Sequence, residues 1–274
     1  MNYRHIYHAG NFADVFKHWI YSLLLDYIQK KDKPYAVIDT HAGLGLYNLD
    51  ATEANKTNEY QTGLVKLLDA KHIPDSFQLY LDIIKALNKN QSNLYYPGSP
   101  YLIKQFLRTS DKLHACELHP DDYQSLKRRF FNDSNIHCHN MNGYQTAKSL
   151  LPLSEKRGLI LIDPPFENDN EFEQILLYLK KAITRFRQGT YAIWYPIKND
   201  KLIQAFYDKL QLLTIDNLLI VELVINDFKN IKRLNGCGMI IINPTWQLDT
   251  RLLSDLPFLC DLFRLSPAGY TKVW

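Results

Sequence analysis

A chain of 274 residues, 46% hydrophobic and 22% charged, has room for one large α/β domain or one domain with an insertion, and its composition excludes disordered and fibrous classes. A formal net charge of +3 permits a nucleic-acid partner without demanding one. Cys116, Cys138, Cys237 and Cys260 lack framework spacing and read as reduced residues of a cytoplasmic protein, while the opening MNYRHIYHAGNF has no apolar signal region and no run reaches the ~18 apolar residues of a membrane span.

In chain order, NFADVFKHW reads as a helix and YAVID (35–39) as the first strand. Residues 53–93 contain a single glycine, Gly63, and read as two or three polar amphipathic helices (TGLVKLLDA, DSFQLYLDIIKALNK). They form a helical insertion, 53–93, within a main domain made of 1–52 and 94–274. KLHACE (112–117), NIHCH (135–139), GLILID (158–163), TYAIWY (190–195), LLIVELVI (218–225) and GMIIIN (238–243) complete seven strands. Amphipathic stretches at 120–130, 142–151 and 170–187 lie between them, so the alternation predicts a doubly wound, mainly parallel α/β sheet. FKNIKRLNG, between the last two strands, is too short for a crossover helix, so the last strand pairs antiparallel. The chain has no internal repeat and no low-complexity tract.

The fourth strand ends in GLILIDPPFEN (158–168). Each proline fixes its own φ and restricts the residue before it, so Asp163 and Pro164 are held extended on a stiff ledge. That ledge offers a carboxylate, a backbone acceptor and the aromatic face of Phe166. An Asp-Pro turn is common enough that the tetrapeptide alone does not decide its role.

The ends of the earlier strands add to it. The first strand runs into DTHAGLGLY (39–47), a loop in which Gly43 and Gly45 let the backbone approach a ligand closely. It lacks the full G-x-G-x-x-G pattern and no helix follows it, which disfavours a pyrophosphate site. The second strand ends at Glu117, placed to accept both hydroxyls of a ribose in preference to serving only as a helix-starting acid. The third is followed by Asn142-Gly143, where Asn142 suits the edge of an adenine, a helix N-cap, or both. Glycine loop, ribose acid, base-edge residue and acceptor ledge thus occur in strand order. That order fits S-adenosylmethionine better than a dinucleotide, because no phosphate cradle is needed.

The ledge would then receive a second base. An adenine N6 amine is a poor nucleophile because its lone pair is delocalised into the ring. Asp163 and the Pro164 carbonyl can take its two hydrogens and aim that lone pair, and Phe166 can stack on the extruded base. Ser99-Pro100 reads as an N-cap with proline at the first helical position, whose free N–H groups suit a carboxylate. Lys17 could neutralise the same end of methionine. His5, His8, His18 and His41 gather around the first helix and the glycine loop, some of them against cofactor or RNA. His137, Cys138 and His139 look metal-like, but neighbours on a strand point to opposite faces, so no metal site is expected. The eighteen tyrosines suit base-stacking surfaces and a β-rich core alike.

With these residues in view, the chain resembles the RlmJ-type 23S ribosomal RNA adenine-N6 methyltransferases along almost its whole length. The likeness rests on YRHIYHAGNFADVFKH (3–18), DTHAGLGLY (39–47), YYPGSP (95–100), ELHPDDY (117–123), LILIDPP (159–165), TYAIWYP (190–196) and NGCGMIIINPTW (235–246). It implies a class I, Rossmann-like methyltransferase fold, S-adenosylmethionine as donor with S-adenosylhomocysteine as product, and 23S ribosomal RNA as substrate. By motif position it implies cofactor contacts from His18, His41, Ser99, Glu117, Asn142, Gly143 and Asp163, with Asp163 catalytic and Tyr3 touching RNA. The residues themselves add Lys17 and Gly43 on the cofactor side, Pro164 and Phe166 at the reacting amine, and His5 beside Tyr3 over the target adenosine. The chain departs from the family in having Asn142-Gly143 for the commoner Asp-Gly and DPPF for DPPY. The expected partner is protein-free or early precursor 23S RNA, bound by a monomer away from membranes. The competing readings are a DNA adenine methylase, disfavoured by the small insertion, and a non-catalytic RNA-binding module, disfavoured by the intact Asp-Pro-Pro ledge.

Overall fold

The computed structural model describes residues 4–230 and 233–274. A single 3₁₀ turn, His5–Tyr7, leads into helix α1, Phe12–Gln29. Asn11 caps that helix, its Oδ1 accepting from Asp14 N at 2.9 Å, and Asp14 sits in the first turn where the helix dipole favours a negative charge. Residues 13–25 of α1 are buried on every side, so the helix runs through the core.

Strand β1, Ala36–Asp39, is followed by β2, Leu46–Asn48, helices α2, Thr52–Thr57, α3, Lys66–Leu68, and α4, Gln78–Asn88, and strand β3, Tyr95–Pro97. Then come α5, Ser99–Lys104, β4, Lys112–Glu117, α6, Pro120–Arg129, β5, Ile136–Asn140, and α7, Thr146–Ser149. The chain continues as β6, Gly158–Ile162, α8, Glu171–Arg185, β7, Thr190–Ile197, and α9, Asp200–Gln211. It closes with β8, Leu218–Val224, β9, Gly236–Ile242, α10, Leu248–Phe263, and β10, Tyr270–Val273.

Eight strands form one sheet in the order β10-β8-β9-β7-β6-β1-β4-β5. The pairs from β7 through β6, β1 and β4 to β5 are parallel. β9 inserts antiparallel between β7 and β8, as the short β8–β9 connection predicts. This is the mixed α/β, Rossmann-like methyltransferase architecture expected from the sequence, with eight strands instead of seven. The added strand, β10, pairs antiparallel with β8 at the sheet's edge. YTKV is short and half exposed, and it lacks the buried apolar run that marks the central strands in the sequence.

Two apolar layers cover the sheet. One face carries α1, α10 and the helices between β2 and β3; the other carries α7, α8 and α9. The helices at 52–88 emerge from a two-stranded ribbon in which Tyr47 pairs with Tyr96. They share the core of α1, with Trp19 stacked on Phe77 at 4.3 Å between ring centroids. Gly63, the lone glycine of the stretch, presses against the N-terminal turn, where an added Cβ would come within 2.2 Å of Gly10 O. Among the described residues, no helix is long and apolar enough to cross a membrane.

The chain leaves β1 in two directions, through β4 to β5 and through β6 to β7 and beyond. The crevice outside the carboxyl ends of β1, β4 and β6 is therefore the topological switch point where open α/β sheets bind ligands.

Candidate active site

A cavity of about 1090 Å³ opens at that crevice. It is lined by Asp163, Pro164 and Phe166, by Lys17 and His18 of α1, and by His41, Gly43, Ser99, Glu117, Asn142 and Gly143. His5 lines it too, whereas Tyr3 lies outside the described residues.

At the ledge, Asp163 follows directly on β6, and its Oδ2 lies 2.5 Å from Lys17 Nζ. Lys17 also reaches Asp14 Oδ1 at 2.8 Å, and its ammonium sits 5.8 Å from the ring centre of Trp194. Burial opposes the Lys17 charge, but the carboxylates of Asp14 and Asp163 outweigh it and hold its pKa well above the ordinary lysine value. Lys17 is thus committed to two carboxylates. Asp14 accepts further bonds from Gly10 N and His5, both at 2.9 Å. Burial alone would raise the Asp14 pKa, yet His5 and Lys17 keep it well below the usual range.

Phe166 adopts φ +49°, a left-handed conformation that a bulky L-residue rarely takes. Holding it there costs roughly 1–2 kcal/mol. The surroundings impose the geometry: Phe172 and Trp194 meet the Phe166 ring edge-to-face at 5.1 and 5.9 Å. Its half-buried ring stands beside the acceptor ledge.

On the other side of the crevice, Glu117 is 7% exposed and held by two backbone N–H groups. Oε2 accepts from Gly43 N at 2.8 Å and Oε1 from His119 N at 2.7 Å. Burial pushes its pKa up, with those two N–H groups opposing. Each oxygen retains lone-pair capacity for another donor. Gly43 takes φ +60°, and a Cβ there would come within 2.3 Å of the Tyr47 hydroxyl, so only glycine shapes this loop.

Asn142 does serve as a cap: its Oδ1 accepts from Tyr144 N at 2.9 Å, and its amide group has no hydrogen-bond partner among the described residues. Gly143 packs on the end of β1, where an added Cβ would lie 2.0 Å from Thr40 O. The Thr40 hydroxyl donates to Leu161 O at 2.8 Å and lies 2.8 Å from His41 Nδ1. With its one proton spent on the carbonyl, that hydroxyl must accept from His41 Nδ1–H, which leaves Nε2 as an acceptor. Burial lowers the His41 pKa to about 4, so the ring is neutral near pH 7.

His18 bonds through Nδ1 to Tyr96 OH at 2.6 Å, and Tyr96 OH to Tyr80 OH at 2.9 Å. Burial and the neighbouring Lys17 hold the His18 pKa well below the ordinary histidine value. Ser99 is the first residue of α5 rather than its cap: Gly98 takes that position, and no side chain caps the helix. Asp39, beneath the glycine loop, has a buried Oδ2 with no partner, and burial raises its pKa to about 7.

Sequence reasoning missed Asp14, Trp194 and Tyr144 as lining residues. Asp14 stands one helical turn before Lys17, and Trp194 sits inside TYAIWYP, so both positions carry a sequence signal. His137 and His139, two apart on β5, do share a face with His114, with ring centroids 5.2 and 5.3 Å from it. Adjacent strand positions point apart, but positions two apart point the same way. Among the described residues, no group of three or more His, Cys, Asp or Glu is arranged to hold a metal ion.

Comparisons with known proteins converge on one family. The family model for ribosomal RNA large subunit methyltransferase D, RlmJ, matches residues 32–274. "Ribosomal RNA large subunit methyltransferase J" of Escherichia coli K12 is 37% identical over 269 residues, covering 98% of this chain and 95% of that protein. The protein of the same name from Haemophilus influenzae is 37% identical over 260 residues, covering 94% and 92%. Among solved structures, a Legionella pneumophila protein superposes with a TM-score of 0.89 at 35% identity, covering 97% of this chain and 98% of that one. The chain belongs to the RlmJ family of ribosomal RNA large subunit methyltransferases.

Proposed function

We propose that this protein methylates the N6 amine of one specific adenine in 23S ribosomal RNA, using S-adenosylmethionine and acting as a cytoplasmic monomer on protein-free or early precursor RNA. The observation that carries this reading is that the Asp163–Pro164 acceptor ledge opens into the same cavity as Glu117, Gly43 and Asn142.

The residues present fit the donor. Gly43 lines the cavity, and Glu117 beside it keeps lone pairs for two ribose hydroxyls. The Asn142 amide offers a donor to an adenine ring nitrogen. When bound, S-adenosylmethionine supplies an electrophilic methyl group on a sulfonium.

The chain's own groups do the rest. Asp163 and the Pro164 carbonyl accept the two N6 hydrogens of the target adenine and orient the nitrogen lone pair. Lys17 holds Asp163 Oδ2 in place, so the carboxylate meets the amine as a positioned acceptor. After transfer, Asp163 takes the proton that the amine releases. Phe166 stacks on the extruded base, an interaction worth roughly 1–3 kcal/mol. Most of the rate enhancement then comes from holding the amine in line with the methyl group.

The test offers tritiated donor to protein-free ribosomal RNA, assembled ribosomes and duplex DNA, followed by nucleoside analysis. The expected result is N6-methyladenosine in protein-free 23S RNA. Label in duplex DNA alone would favour a DNA methylase, and donor binding without transfer would favour a non-catalytic module.

A further inference from the structure

The charges that line the cavity are unevenly satisfied. Asp14, Glu59, Glu117, Asp122, Asp163 and Glu171 are each bound to protein donors. Lys66, Lys198 and Arg233 line the same cavity and are exposed, and none has a side-chain hydrogen bond or ion pair among the described residues. The carboxylates named here are thus held by protein donors, whereas these three cations are left for a ligand.

These three cations are mounted on fixed backbone. Lys198 follows β7 directly, and Arg233 stands two residues before Asn235 at the start of β9. Asn235 is fully buried and ties the two turns together: its Nδ2 donates to Lys198 O at 3.3 Å and to Asn230 O at 2.9 Å, and its N to Ile197 O at 3.1 Å. Lys66 opens α3, immediately after the turn in which Leu64 N donates to Gly10 O at 2.8 Å. The cavity exceeds the roughly 300–1,000 Å³ of a typical single-ligand pocket, so it has room for a nucleotide beside the donor.

We infer that Lys66, Lys198 and Arg233 form a phosphate clamp that holds the single-stranded RNA backbone flanking the extruded nucleotide. The inference rests on the functional reading above only in placing the target base at Asp163. Neutral donors would suffice to recognise a base, whereas unpaired cations at the rim of a site call for a polyanion. The clamp fixes register along the strand and leaves base choice to the ledge.

Lys66→Gln, Lys198→Gln, Arg233→Gln and the triple variant test this by titration against a fluorescent single-stranded oligoribonucleotide with a central adenosine, over a range of salt. Removing one cation from the RNA backbone should flatten the slope of log affinity against log salt by roughly 0.7, which is about 5-fold in affinity at ~0.1 M salt. Donor affinity should be unchanged in every variant. A triple variant with the wild-type salt slope would overturn the clamp. Methyl transfer by the wild-type protein is scored separately: its failure would remove the adenine reading, while the binding slope would still decide the clamp.

Discussion

Lys17 Nζ on α1 and Asp163 Oδ2 at the end of β6 meet at 2.5 Å across 146 residues of sequence, and this contact joins the N-terminal helix to the acceptor ledge. Lys17 is 4% exposed, and it neutralises Asp14 as well. Removing one partner of a buried pair leaves an uncompensated charge, which costs about 3–5 kcal/mol. Lys17→Met should therefore be strongly destabilised in urea titration and inactive. A stable, active Lys17→Met would mean that the ion pair contributes to neither property.

Asp163→Asn should behave differently, because Lys17 retains Asp14. The fold should survive with a smaller loss of stability, while turnover falls by the roughly 10²–10³-fold typical of losing one preorganised polar group at a reacting centre. Single-turnover transfer to RNA is the measurement. Near-normal turnover in the folded variant would remove Asp163 from the mechanism.

Phe166 separates strain from stacking. Glycine tolerates φ +49° and alanine does not, so Phe166→Gly should be more stable than Phe166→Ala by about 1 kcal/mol. Both should lose kcat/KM on RNA, whereas Phe166→Tyr keeps the stacking face and should retain activity. Equal stability of the Gly and Ala variants would show that the backbone relaxes once the ring is gone.

Glu117→Ala should weaken S-adenosylmethionine binding in calorimetry more than it slows the chemical step. It removes the ribose acceptor and also frees the Gly43 and His119 N–H groups that shape the loop. Unchanged donor affinity would place the ribose contact elsewhere.

Glu117 and Asp163 are legible because each ends or directly follows a largely buried strand with a carboxylate, and Asn142 because it opens an Asn-Gly pair two residues beyond the mostly unburied β5. What stayed hidden depends on contacts between distant segments. Nothing local in FADVFKHW says that Lys17 will spend its charge on Asp163, and nothing in GSP says that Gly98 rather than Ser99 will cap α5. β10 was illegible for a different reason. An edge strand buries so little that its four residues carry no pattern.

His114 and His139 supply a pH test of the sheet. Burial, with His139 and His137 adding repulsion, lowers the His114 pKa to about 4, and His139 shifts in the same direction. In the unfolded chain both titrate near 6.5. The folded state therefore binds fewer protons, and stability should be full above about pH 6.5 and decline as pH falls towards 4. Urea midpoints across that range should show the decline, and His114→Gln should flatten it. An equally steep decline in the variant would assign the acid sensitivity to other groups.

The N-terminal segment decides whether the site is complete without its first residues. On composition, Tyr3-Arg4-His5 would be a frayed tail. The structure ties the described part down: Arg4 Nη2 lies 3.2 Å from Asp122 Oδ1, His5 Nε2 lies 2.9 Å from Asp14 Oδ2, and the His5 ring meets Tyr47 edge-to-face at 5.3 Å. His5 thereby reaches Asp14, the carboxylate that shares Lys17 with Asp163, so the segment is linked to the ledge through three side-chain contacts in series. Deleting residues 1–5 should abolish methylation of RNA. The fold should remain, since Asp14 keeps Lys17 and Gly10 N, and donor affinity should stay within a few-fold because Glu117, Asn142 and the glycine loop are untouched. His5→Ala should show a milder form of the same pattern, with kcat on RNA reduced and donor binding intact. A truncated protein that methylates RNA at the wild-type rate would return the segment to the status of a tail.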